Sequence, residues 1–386
     1  MPFLSDRLIE GVLIFSLAIL LLSLFLVAYA IGRRVRRERG FKQLDAFRNR
    51  LRDISQGWGR DAFSDAATMA EIRAVFQPRL AWAMEQALLE RGDHPEDLEF
   101  VRRVAEDLGF VARWQRDLDA AAVCGARGSG LRLSRRTGKY LTRARSAENL
   151  GRIRHAQSWR LVACALDDPH PDVQGVALRS LAAMGVPESF PVLVERLRDT
   201  LGAPESALSE RSWRAALGRF PVQVGGALLP LLQSTNPKLR SLAADILVEM
   251  LSSATARRGA ACCAQIGIPD LADLESVGPE VSRVILSRLV CDEDAEVRAR
   301  AATLLSYTQG ESAGQKLGQL LEDEAWFVRL HAVRAADARK DAEGARLVAH
   351  RLLDANWRVR ESAARALSGW GAAGLDQLTQ CFLSTQ

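Results

Sequence analysis

Apolar and polar residues follow three successive patterns along this chain, and each of them predicts helix. Residues 11–31, GVLIFSLAILLLSLFLVAYAI, are twenty-one positions without a charge. As a helix rising about 1.5 Å per residue they reach about 31 Å, one bilayer hydrocarbon core, so they read as a transmembrane helix. The second pattern is amphipathic. Leu44, Phe47, Leu51 and Ile54 recur at steps of three and four, a stripe that predicts one helix as far as the break at Gly57-Trp58-Gly59. Residues 63–91 carry a similar stripe, interrupted where Pro78 removes a backbone donor. Asp93, Pro95 and Glu96 then read as the opening of a helix to about Ala122, and CGARGSG, 124–130, is a flexible break. No stretch alternates with period two for long enough to predict a strand.

The third pattern is a repeat, beginning at Thr137. One ruler fits throughout: a helix opens with an acid, an aliphatic follows five residues later, then a cation, and a block of small residues ends on a large one eight after the aliphatic. It matches DDPHPDVQGVALRSL, CDEDAEVRARAATLL, EDEAWFVRLHAVRAA and LDANWRVRESAARAL, with aliphatics Val173, Leu239, Val297, Val328 and Val359. Weaker copies end at Leu150 and Leu217, making seven openings with one irregular gap of 58 residues between Leu247 and Leu305. That gap holds either a degenerate repeat or an insertion of about 27 residues around 250–280. Second helices are expected at ESFPVLVERL, GQKLGQLL and ARLVAHRLL. Pairs this short bury their apolar faces only by stacking on neighbours, which predicts an α-solenoid.

The D-x-x-x-x-V-R-x-x-A-x-x-A-L pattern resembles HEAT repeats, in particular the short variety of phycobilisome lyases, over residues 137–386. The whole arrangement is similar to bacterial single-pass proteins with a membrane-anchored HEAT array. The expected fold is therefore all-α: a short extracytoplasmic stretch at 1–10, a transmembrane helix at 11–31, a basic juxtamembrane segment at 32–60, a helical stalk or cap at 61–125, a basic linker at 126–136 and a solenoid at 137–386. In HEAT-like stacks the repeated Asp168, Asp292, Asp323 and Asp354 and the repeated Arg240, Arg298, Arg329 and Arg360 form a structural ladder. From their place alone, the aspartates also read as helix caps.

Charge changes the picture by its distribution. The formal net charge is +5, yet residues 33–60 alone hold ten Lys or Arg against three acids. Six of those cations lie in 33–42, directly after the apolar run, which by the positive-inside rule places the bulk of the chain on the cytoplasmic side of the inner membrane with the N-terminus outside. Arg33, Arg34, Arg36, Arg37 and Arg39 are then candidates for anionic lipid headgroups. Ala28-Tyr29-Ala30 would suit a signal-peptide cleavage site, but the n-region, with Arg7 against Asp6 and Glu10, is not net positive and the apolar run is long. Residues 127–154 add nine cations against Glu148, and Arg132, Arg135, Arg136, Lys139 and Arg143 form a candidate basic patch. The six cysteines show no framework spacing and are expected to be reduced and mostly buried.

The sequence supplies little chemistry. None of the five histidines adjoins a glutamate, no P-loop, G-x-S-x-G or H-E-x-x-H motif is present, and no cofactor is expected. Trp326 and Trp357 occupy one ruler position 31 residues apart and are candidates for a partner-binding strip. The reading that follows is a non-enzymatic scaffold that binds a protein partner, a membrane enzyme or its regulator, at the cytoplasmic face. The alternatives are nucleic-acid binding, disfavoured because the positive charge precedes the acidic solenoid, and a bilin-lyase-like enzyme, disfavoured by the anchor.

Overall fold

The computed structural model describes residues 3–57, 65–125, 140–201, 208–262, 274–308, 310–340 and 342–384. Side chains are described from residue 21 onward, apart from those of Arg36, Arg37 and a number near helix ends. Among the described residues every regular element is an α-helix or a short 3-10 turn. Contacts divide the chain into Met1–Arg113 and Trp114–Gln386.

In the first unit, α1 (Phe3–Gly57) is one helix of 55 residues that carries the apolar run, the basic segment and the amphipathic stripe without interruption. No proline falls between Pro2 and Pro78, so nothing forces a break. Its last third buries Phe47 and Leu51 against α2 (Asp65–Val75) and α3 (Ala81–Arg91), and an Arg48–Glu90 contact of 3.3 Å flanks them. Pro78 splits α2 from α3 as expected, with a 3-10 turn between. The helix expected to run to Ala122 is instead two, α4 (Leu98–Asp107) and α5 (Phe110–Gly125), because Gly109 takes a left-handed φ of 73°. Asp93 does not cap it: His94 holds the N-cap position of the preceding 3-10 turn, without a side-chain bond. Among the described residues no helix is long and apolar enough to cross a membrane. The side chains of residues 1–20, which include the first ten of the uncharged run, lie outside that description.

In the second unit, among the described residues, seven helix pairs follow one another. The first helices are α6 (Tyr140–Arg152), α8 (Pro171–Met184), α10 (Glu210–Leu217), α12 (Pro237–Cys262), α14 (Ala295–Leu305), α16 (Trp326–Arg339) and α18 (Trp357–Ser368). Their partners are α7 (Trp159–Cys164), α9 (Ser189–Leu201), α11 (Leu229–Leu232), α13 (Pro279–Ser287), α15 (Glu311–Leu321), α17 (Ala342–Ala349) and α19 (Gly371–Ser384). Every ruler aliphatic is buried, as is every closing residue from Leu150 to Leu367, so the repeat period is the period of core packing. First helices pack on first helices down the array. At Gly151 the backbone of α6 comes so close to α8 that an added Cβ would sit 2.6 Å from Ser180 Cβ.

The irregular gap lies inside one pair. At 26 residues α12 is the longest helix described in this unit, and it packs directly on α14 with no first helix between them. Residues 263–273, which carry much of the extra length, lie outside the described residues.

Candidate functional site

The ruler charges form a directional ladder. Arg143 Nε and Nη2 donate to Asp168 at 2.6 and 2.9 Å. Arg240 does the same to Asp292 at 2.7 and 2.6 Å, Arg298 to Asp323 at 2.7 and 2.9 Å, and Arg329 to Asp354 at 2.6 and 2.8 Å. The third guanidinium nitrogen faces home: Nη1 of Arg240, Arg298, Arg329 and Arg360 each donates to the two carbonyls six and five residues before it. The Arg240, Arg298 and Arg329 rungs thus each clamp the opening turn of their own pair and the carboxylate of the next. These fork-to-carboxylate bonds are charge-assisted and bidentate. They hold Arg240, Arg298 and Arg329 more firmly protonated than usual, chiefly through the hydrogen bond to the partner aspartate. Hydrogen bonding from Arg329 keeps the Asp354 carboxyl below the usual range. For Asp323, burial pushes the other way, but the bonds from Arg298 and the Ala325 amide prevail.

The ladder aspartates are not the helix caps that their position suggested. Each accepts from the amide two residues on, as Asp292 does from Asp294 N at 3.0 Å. The residue at that second position sits at the N-cap: His170, Asp294, Ala325 and Asn356. Asp294 Oδ1, for example, accepts from Glu296 N at 2.7 Å. The ladder also has interruptions. Gln174 stands at the arginine position of the second pair and reaches only the Asp168 carbonyl, at 2.8 Å, while Ser234 stands at the aspartate position of the fourth.

Beside this ladder runs an aromatic row. Trp326 and Trp357 are the first residues of α16 and α18. The Arg358 guanidinium lies between their rings, its central carbon 5.4 Å from one centroid and 5.5 Å from the other. Phe327 meets Trp326 edge-on at 5.9 Å. Trp326 is half-buried, whereas Trp357 is 59% exposed. Two members of this set were missed in the sequence. Arg358 lies one residue past Trp357 and looked like one more surface cation. Tyr140 lies ten residues before Leu150, as the tryptophans lie ten before Ala336 and Leu367, and it stacks on His170 at 3.7 Å. The weak opening of the first repeat hid that register.

The other candidates fall apart spatially. Arg143, expected in a basic patch, is buried as the first rung, because Asp168 lies across from it. Arg132, Arg135, Arg136 and Lys139 lie outside the described residues. Of the lipid-contact candidates, Arg33, Arg34 and Arg39 are exposed on α1, and Arg34 pairs with Glu38 at 3.1 Å; the side chains of Arg36 and Arg37 lie outside the described residues. Cys164 and Cys291, expected to be buried, are exposed free thiols, Cys164 at the end of α7 and Cys291 at the end of the 3-10 turn after α13. His331 bonds Thr303 at 3.0 Å; burial lowers its pKa, helped by Arg300 and Arg334. Among the described residues no group of His, Cys, Asp and Glu is arranged to hold a metal ion. An open groove of about 890 Å³ between α13 and α15 is lined by Arg283, Leu286, Ser312 and Lys316 among others.

A family model described as HEAT repeats matches residues 132–208 and 282–368, so these two stretches, on either side of the irregular gap, are similar to HEAT repeats. No curated protein matches. Among solved structures the chain is similar to an engineered protein (18% identity, 88% of this chain and 90% of that one, TM-score 0.36). It is also similar to importin beta (16%, 80% and 42%, 0.39) and to human deoxyhypusine hydroxylase (18%, 86% and 96%, 0.28). It spans less than half of the importin beta chain. No functional argument rests on likeness at these scores.

Proposed function

We propose that this protein is a non-catalytic, membrane-tethered scaffold that holds a protein partner, a membrane enzyme or its regulator, at the cytoplasmic face. The observation that carries the binding half is the Trp326–Arg358–Trp357 stack. Two indole rings and a guanidinium form a rigid surface group of the residue types that dominate binding hot spots, and Trp357 is open to solvent. A HEAT array offers such a group on an extended surface.

Support for the tether comes from α1. The uncharged run at 11–31 is helical, and its described part is exposed, with Leu21 at 58% and Phe25 at 67%. A contiguous exposed apolar surface of this kind marks a membrane or interaction segment, and the arginines that follow match the cytoplasmic flank of a membrane helix. Anchoring scaffold and partner in one membrane raises their effective concentration without new contacts.

The test is affinity purification of the full chain in mild detergent. Trp326→Ala with Trp357→Ala should remove the principal co-purifying protein while the chain stays in the membrane fraction with unchanged helicity. Retention of that protein by the folded double variant would overturn the binding site. A chain that partitions to the soluble fraction, or a fusion after Gln386 that reports from the periplasm, would overturn the placement.

A further inference from the structure

The end of the first unit that lies toward the uncharged run differs from the rest of it. Helix α1 is continuous from Phe3 to Gly57, so it fixes the height of whatever packs on it relative to residues 11–31, at about 1.5 Å per residue. Two contacts set the direction of α3 along that axis. A Cβ added at Gly40 would lie 3.8 Å from Leu80 Cδ2, just before α3 starts, and Arg48 meets Glu90 at 3.3 Å near its end. Helix α3 therefore runs alongside α1 and away from the uncharged run. The Pro78–Leu80 turn and the first turn of α3 form the unit's near end.

This near end is apolar and cationic at once. Trp82 and Phe41 are each 64% exposed, whereas Met84, Leu88 and Leu89 of the same α3 are buried. Arg79 is exposed on the turn, and Arg33, Arg34, Arg39 and Lys42 are exposed on α1. Among the described side chains from 33 to 42 the only acid is Glu38, and it is bonded to Arg34 at 3.1 Å. Farther along the unit the cations are matched: Arg48 meets Glu90, Arg50 meets Glu71 and Arg73 meets Asp107. Height decides what the near end can touch. Gly40 lies nine residues, about 14 Å, past Ile31. A headgroup layer extends about 5 to 8 Å beyond the hydrocarbon, which leaves about 6 to 9 Å. That is about one Debye length at physiological salt, within the span of an extended arginine. Tilting α1 toward α3 by about 20°, the average for membrane helices, closes about 3 Å more.

From this we infer that the near end of the first unit, Arg79 and Trp82 with Phe41, Arg39 and Lys42, is a second membrane contact, which docks on anionic headgroups of the bilayer that α1 enters. The inference deepens the tethered reading and rests on it. Indole rings favour the headgroup level, and cations are drawn to an anionic leaflet. With two contacts instead of one, the stalk is held against the surface and does not pivot on a single helix.

The test is hydrogen exchange by mass spectrometry on the full chain in nanodiscs of phosphatidylcholine alone or with about 30% phosphatidylglycerol. Amides of the Pro78–Leu80 turn and the opening turn of α3 should exchange at least about threefold more slowly in the anionic discs, and the difference should shrink at high salt. Arg79→Glu with Trp82→Ser should remove it. Both positions are exposed, so helicity by circular dichroism should not change. Quenching by lipids spin-labelled at the headgroup gives a second reading, in which the unaltered chain should lose more emission than Trp82→Phe. Equal exchange in the two disc types, equal quenching of the two chains, or a difference that survives in a folded double variant would each overturn the inference. The lipid comparison uses the unaltered chain, so it decides even where the double variant loses helicity. A chain that enters the discs and shows neither effect refutes this contact alone and leaves the tether standing, whereas a chain that fails to enter them refutes both.

Discussion

Removing the carboxylate of Asp292 separates two roles that the sequence had merged. If the residue were a helix cap, Asp292→Ala would cost about 1 kcal/mol. In the structure its side chain is 4% exposed and accepts from Arg240 Nε and Nη2 and from the Asp294 amide, while the Arg240 side chain is 10% exposed. Breaking one side of a buried ion pair costs about 3 to 5 kcal/mol, because the remaining charge stays buried. Arg240 would keep its bonds to the Ser234 and Thr235 carbonyls, which places the expected cost at the low end, about 3 kcal/mol. That is comparable with Leu305→Ala, a fully buried position expected to cost about 2 to 5 kcal/mol. Asp294→Ala, which removes the actual cap, should cost only about 1 kcal/mol. Hydrogen exchange by mass spectrometry reads this locally: peptides from α12 and α14 should lose protection by about two orders of magnitude in Asp292→Ala, and by far less in Asp294→Ala. Arg240→Met with Asp292→Leu should recover most of the loss, since an apolar pair of similar volume commonly substitutes for a buried ion pair. Equal effects of Asp292→Ala and Asp294→Ala, or a double variant no better than the single, would refute the ladder as a source of stability.

Gly151→Ala should destabilise the α6–α8 contact by about 1 to 3 kcal/mol, since the new methyl meets Ser180 Cβ and Cα rather than a movable side-chain tip; a melting temperature equal to wild type would show that α6 shifts freely. His331 is held neutral by burial and by Arg300 and Arg334, so its folded pKa lies below its unfolded one. Its contribution is therefore complete above about pH 6.5 and declines as pH falls through the lower folded value. His331→Asn should flatten stability against pH over that window in denaturation curves, and an unchanged slope would refute the assignment.

The fold was legible wherever local rules and packing agree. Val297, Val328 and Val359 announced their burial by recurring every 31 residues, and Pro78 announced a split helix. Gly109 was hidden because a single glycine within an amphipathic stripe does not show whether it takes a left-handed φ. The ladder partners could be named but not their energetics: spacing shows that Asp292 opens a turn, not that Arg240 reaches it across 52 residues of chain. The tryptophans stood out as large and periodic, whereas Tyr140 and Arg358 acquire their meaning only from the ring or cation of the adjoining pair. Arg143 was misread because cations counted along a sequence carry no information about the carboxylate that faces them.

The uneven spacing of the rungs also sets how the array responds to load. Bidentate guanidinium–carboxylate bonds are directional and resist sliding of one helix along another. Where Gln174 replaces a rung residue, the join between the second and third pairs relies on contacts such as the Phe190 and Phe220 rings, 5.1 Å apart, which tolerate slip, whereas at Ser234 Arg214 and Asp245 still meet at 3.8 Å across the join. Load along the solenoid should therefore be taken up first at the join between the second and third pairs, ahead of the joins clamped by Arg240, Arg298 and Arg329.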